Sequence, residues 1–288
     1  MKFHRLVNIY CKRKFFEKII RNALSLLERN DVNKVEYSIT NYVLLHYYVK
    51  AIKLSKGIYV LSREKLNSDM QILLRCLFEV FCYCEYINID LKDEKRAENC
   101  IALSWIESNR TENLIERYGA VDINNMRITS NEKDSFRASV VATSKTIRIN
   151  YEFILNKLKQ RSPIYKDLKD KDILREEKFS LQKAIEDINV VFNKETNNKD
   201  FIWKHYTVMY RDWCKSVHAN DFDNNVRMDG SKLRYILREK TQIIDTYYSI
   251  SYNFLIRIMD IANDVFVFKF DGEIKKMFDE ATKLSLTD

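Results

Sequence analysis

Two side chains in the stretch 206–220 are of the kinds that act on phosphodiesters. Arg211 and His218 stand seven residues apart. In a helix that is two turns, and at about 100° per residue the pair ends roughly 20° apart on one face. A guanidinium is always charged and grips phosphate oxygens with a forked set of donors, while an imidazole takes and gives a proton near neutral pH. RNA can be cut by its own 2′-hydroxyl if a proton-transfer group and a cation facing the charged phosphorane are supplied. His218 is the candidate for the first part and Arg211 for the second, gripping the scissile phosphate. His218 is expected near the C-terminus of its helix, where the dipole favours the imidazolium. Asp212 is placed to hydrogen-bond Arg211 or to orient His218. Tyr210 and Trp213 are candidates to stack on a base, with core packing as the alternative for each. Lys215 adds a cation for the RNA backbone.

The rest of the chain must hold these residues, and its composition points to helices. Among 288 residues there are only 4 Gly and 1 Pro, too few turn formers for a β-rich or doubly wound protein of this length. The expected fold is all-α. Apolar residues recur at helical spacing over 8–29 (Phe15, Phe16, Ile19, Ile20, Ala23, Leu26, Leu27), with a basic opposite face. A second helix is expected over 34–56, ending near Gly57, with Tyr42, Leu45, Tyr48, Val49 and Ile52 as its buried stripe. His46 in that stretch reads as a core or surface histidine. A third, over 64–88, is apolar on most faces and is expected at the centre of the bundle. Inside it lie Arg75 and Glu79 at i,i+4 spacing; a carboxylate there is expensive to bury unless paired. That pair reads as a bridge fixing helix packing, or as side chains facing the Arg211/His218 cleft.

Further helices are expected over 94–118, 132–160 and 176–194, with 120–131 and 161–175 as connections. The motif helix is expected over 201–217, with Asp200 as its N-cap, and loop over 219–225. The last long helix is expected from about 231 to 269, capped by Ser231, with a kink or break near Asn263; Gly272 separates a short terminal helix. The organisation expected is a basic N-terminal helix (1–30), one helical domain (31–270) and a short tail helix (271–288).

The net charge is +8, compatible with an anionic partner such as nucleic acid, or simply with solubility. Residues 1–30 hold eight cations against two carboxylates, which suits a solvated face or, in a weaker reading, a membrane surface. The six cysteines include no Cys-x2-Cys pair and no zinc-site spacing, a pattern of a reduced, cytoplasmic protein. No apolar run reaches the roughly 18 residues of a membrane span. No metal or other cofactor is implied.

With these residues in view, the sequence resembles the HEPN superfamily, whose hallmark is an Arg, four to six residues beginning with a polar one, and a His. Here Asp212–Val217 intervene. It is also similar to a group of all-helical bacterial proteins with an Arg-x-x-Phe-Glu signature on an early core helix, matched by Arg75-Cys-Leu-Phe78-Glu79, and a late Tyr-Arg…His segment, matched by Tyr210-Arg211…His218. The similarity covers roughly 35–265. The resemblance implies a helical bundle that forms a homodimer with two copies of the motif facing one cleft. It implies a metal-independent endoribonuclease acting as a toxin or phage-defence effector, restrained by a regulatory protein partner. Arg211, Asp212 and His218 carry over as catalytic, with Arg75 and Glu79 behind them. The alternative is a non-catalytic interaction module, an adaptor or antitoxin-like partner, in which Arg211 and His218 are structural.

Overall fold

The structure is a computed structural model that describes residues 2–29, 38–101, 180–195, 202, 205–210, 213–214, 226–229, 232–235 and 244–285. The described chain is all-helical apart from one short hairpin. It divides into two compact units, one made of Met1–Lys92 with Leu181–Asp288 and the other of Asp93–Ser180. In the second unit the described residues begin a helix over 95–101. The Asp93 carboxylate accepts the Lys95 N–H at 3.2 Å there, and Ala97 and Cys100 are buried.

The first unit opens with α1 (Lys2–Arg29), α2 (Ile39–Glu64) and α3 (Asn67–Asn88). It continues with α4 (Leu181–Glu195), a π-helical turn (His205–Tyr210) and the strands β1 (Val226–Asp229) and β2 (Lys232–Tyr235). It closes with α5 (Ile244–Phe266) and α6 (Asp271–Ser285). Helix α5 is the axis: α1, α2, α3 and α6 all pack on it. Its sequence explains why, since apolar residues come on nearly every turn face and Tyr248, Phe254, Leu255, Ile258 and Met259 are all buried.

The stripe expected on α1 is buried from Phe15 and Phe16 to Leu26, while Leu27 is half-buried. Phe15 meets Tyr252 edge-on at 5.0 Å, and Phe16 lies 5.9 Å from Tyr248. Full burial of such rings contributes about 1.5–3 kcal/mol each. Lys18 Nζ reaches Glu280 on α6 at 2.6 Å. On α2, Tyr48 is fully buried and donates its phenol hydrogen to the Ala23 carbonyl at 2.8 Å.

Helix α2 departs from the expected bounds at both ends. Ser38 caps it in an extended conformation, its Oγ accepting the Asn41 N–H at 3.0 Å. It runs through Gly57 to Glu64 and ends on Lys65, whose φ of 59° is left-handed. Gly57 marks a close helix approach and no stop: a Cβ there would lie 2.7 Å from Leu73 Cδ1 of α3. Its stripe is also rotated from the expected one. Tyr42 is 58% exposed, Leu45 and Val49 are half-buried, and Val43, Leu44, Ala51 and Ile58 take the core positions beside Tyr48 and Ile52. His46 is on the surface.

The largest correction falls after residue 225. No helix starts at Ser231, because Lys232–Tyr235 pairs antiparallel with Val226–Asp229, in register Asp229↔Lys232 to Val226↔Tyr235. Two residues, Gly230 and Ser231, separate the paired ends, and Gly-Ser is a two-residue hairpin signature. Helix α5 continues past Asn263 and stops at Phe266. Asn263 instead organises the turn beyond it. Its Oδ1 accepts the Phe270 N–H at 2.8 Å and its Nδ2 donates to Asp271 Oδ1 at 2.9 Å. Gly272 lies inside α6, which starts one residue earlier. The elements expected over 102–179 fall outside the described residues.

Candidate functional site

Arg75 and Glu79 are one turn apart on α3, and their bridge is formed, Arg75 Nε to Glu79 Oε1 at 3.1 Å. Both are largely covered, with side chains 20% and 29% exposed. The same Glu79 oxygen accepts a second hydrogen bond, from the Tyr210 hydroxyl at 2.8 Å. The guanidinium also lies over the Tyr210 ring, 5.1 Å from its centroid. The Arg-x-x-Phe-Glu signature and the start of the Tyr-Arg…His segment therefore meet in space.

The apolar member of the signature completes the contact. Phe78 is buried and touches Tyr210 at 5.8 Å, Trp213 at 6.4 Å and Phe254 of α5 at 5.7 Å. On its other side Tyr210 stacks on Tyr206 at 5.2 Å and 22°. That i,i+4 pair lies within the π-helical turn His205–Tyr210, where the α-helix expected over 201–217 is wound wider. Single π turns break the regular 3.6-residue repeat and recur at functional sites.

Electrostatics follow from the packing. Burial, and then the Glu79 charge and hydrogen bond, push the Tyr210 phenol well above its ordinary value. Burial alone would lower Arg75, but Tyr210 and Glu79 outweigh it and the net shift is upward. Arg75 is thus a fixed cation and Tyr210 a fixed hydrogen-bond donor at any physiological pH. Cys76, beside them, is raised by burial and by Glu79.

Two expectations for the segment are redirected by this geometry. Trp213 is only 2% exposed and packs edge-on against Phe78, so its ring is core and is not offered to a base. Tyr210 is half-buried, with Tyr206 and Arg75 against its ring, so it positions the segment and offers no free platform. Arg211, Asp212, Lys215 and His218 lie outside the described residues.

The family of unknown function DUF5677 matches residues 41–233, a stretch that holds both the Arg75…Glu79 signature and the Tyr210–His218 segment. The chain belongs to this family. Within the DUF5677 match lie α2, α3, α4, the π-helical turn and β1, so most of the frame around Glu79 is family structure, while α1, α5 and α6 flank it. No curated protein matches the chain, and no solved structure does.

A second polar cluster escaped the sequence reading. Glu85 on α3 is 3% exposed and accepts from Arg257 of α5 with both oxygens, Nε to Oε1 at 2.6 Å and Nη2 to Oε2 at 3.3 Å. Arg257 Nη1 donates to Asp260 at 2.6 Å. The available signal was a charge inside each of two apolar runs, Cys84-Glu85-Tyr86 and Ile256-Arg257-Ile258, which implies a mutual partner.

Among the described residues, no helix is long and apolar enough to cross a membrane.

Proposed function

We propose that this chain is a metal-independent endoribonuclease of HEPN type. The observation that supports the reading is the shared Glu79 oxygen. It ties Arg75 and Tyr210 into one hydrogen-bonded unit and anchors the residue directly before Arg211 to α3. A proton-transfer pair needs a rigid mount, and this is one. In the reaction the 2′-oxygen bonds to the adjacent phosphorus as His218 takes its proton. Arg211 faces the charged phosphorane, with Asp212 orienting the pair. The P–O5′ bond breaks, the 5′-oxygen leaves with a proton from an imidazolium, and a 2′,3′-cyclic phosphate remains. A homodimer, a role as toxin or phage-defence effector and a restraining protein partner follow from the resemblance alone.

A second reading, a non-catalytic interaction module, is favoured by the burial of Trp213 and the commitment of the Tyr210 hydroxyl, which turn the described part of the segment inward. Incubation with total RNA in EDTA, beside Arg211→Ala and His218→Ala, separates the two. Cleavage by the wild type alone, leaving cyclic phosphate ends, supports the nuclease. Equal cleavage by all three removes Arg211 and His218 from the chemistry, and silence from a folded wild type favours the module.

A further inference from the structure

Between α3, α4, α5 and α6 lies a half-open cavity of about 430 Å3, in the range of small-molecule sites. Its floor is Phe81, Phe254 and Ile202, with Phe81 and Phe254 stacked at 4.6 Å and 18°. Phe278 of α6 adds an aromatic wall. Such a lining favours a flat apolar body, since offset rings add about 0.5–1.5 kcal/mol beyond area burial.

Among the described residues, four uncharged polar side chains line this apolar surface. The amides of Asn189 and Asn253 both line it, half-buried, and neither has a hydrogen-bond partner among the described residues. Each offers a donor and an acceptor. At the mouth, Thr282 and Ser285 already donate their hydroxyl hydrogens to the Phe278 and Ala281 carbonyls, at 2.9 and 3.0 Å. What they retain are lone pairs, which accept from N–H or O–H groups.

Charge narrows the class. Among the described residues, the charged side chains lining it are Glu85 and Arg257, which pair with each other. Arg257 is further shared with Asp260, so a phosphate or carboxylate entering the cavity meets a guanidinium already facing two carboxylates. Both Glu85 oxygens face the Arg257 guanidinium, so a cation entering there meets a carboxylate that already has a counter-charge.

We infer that this cavity is a binding site for an uncharged, planar heteroaromatic compound of nucleoside size, with N–H donors and a carbonyl acceptor along one edge. The inference does not use Arg211 or His218 and stands whether or not the chain cuts RNA. The test is calorimetric titration of the full chain with adenosine, guanosine, cytidine and uridine as probes, each beside its 5′-monophosphate. The expected result is saturable one-to-one binding of at least one nucleoside with Kd below about 1 mM, no tighter for the monophosphate. Asn253→Leu should weaken it at least about tenfold, and Thr282→Trp, filling the mouth from an exposed position, should abolish it, with circular dichroism confirming that both variants fold. Absence of binding by all four nucleosides, tighter binding of the monophosphate, or unchanged binding in both folded variants would each overturn the assignment.

Discussion

The Tyr210 hydroxyl donates to Glu79 Oε1 at 2.8 Å across 131 residues of chain, on the same oxygen that takes Arg75. Tyr210→Phe keeps the ring packed on Phe78 and removes only the interactions of the hydroxyl, with Glu79 and with Arg75. The expected loss in urea unfolding is about 1 kcal/mol, because water can reach the partly exposed carboxylate in its place. Combined with Glu79→Ala, which removes the acceptor, the two losses should fall short of additivity by at least about 0.5 kcal/mol. Strict additivity would mean that the bond does not form in solution.

The Glu85–Arg257 pair should behave differently from a surface bridge. Arg257→Leu leaves a carboxylate that is 3% exposed without its partner, and the expected cost is about 3–5 kcal/mol. Replacing both residues by Leu should recover a good part of that loss. A double variant no more stable than Arg257→Leu would show that the charge pair is not the source of the penalty.

Asp264 gives a pH prediction of definite sign. Burial, then the neighbouring charges of Asp260 and Asp271, raise its carboxyl above the ordinary 3.8. The folded state therefore binds this proton more tightly than the unfolded state. The favourable contribution is present at low pH and is lost as pH rises through the folded value. The last turn of α5 compounds this, since the C-terminal end of a helix disfavours negative charge. Asp264→Asn should raise the melting temperature at pH 7, and its advantage should fade as pH falls through the folded value towards 3.8. An advantage that persists unchanged in acid would point to a cause other than charge.

Gly57 should tolerate little. Alanine gains about 1 kcal/mol of helix propensity but must displace Leu73 Cδ1, 2.7 Å from the new Cβ, so the two effects nearly cancel. Gly57→Val adds branching at the same point and should cost about 1–3 kcal/mol in chemical denaturation. A stabilised Val variant would show that α2 and α3 are not in firm contact there.

Much of this architecture was legible in the residues. Period-3.6 burial located α1, α3 and α5 because each buries a broad apolar face, and an i,i+4 carboxylate in an apolar run correctly implied a bridge to Arg75. What misled was punctuation. Gly57 reads as a helix stop on its own, yet it serves a contact with a helix some fifteen residues later, which only tertiary structure reveals. The Gly230-Ser231 pair was a hairpin signal obscured by the long apolar pattern that follows it. The π-helical turn left no trace, because a single wider turn differs from an α-helix by one hydrogen-bond step and not by composition. For Tyr210 and Trp213 the sequence leaves base stacking and core packing both open, and the contacts of each with Phe78 decide for packing.

The seating of α1 on α5 also has a bearing on how the chain is made. Phe16 finds its ring partner in Tyr248, and Lys18 its carboxylate in Glu280. At ribosomal speeds of about 5–20 residues per second, roughly 10–50 s pass between synthesis of the first aromatic and of the second. For that time the part of α1's apolar stripe that faces α5 waits uncovered on the nascent chain, while α2 can already cover the side that meets Tyr48 and Tyr59. The burden of holding it apart from other molecules falls on the cell's chaperones, and overproduction in a host short of them should yield aggregates seeded by the N-terminal helix.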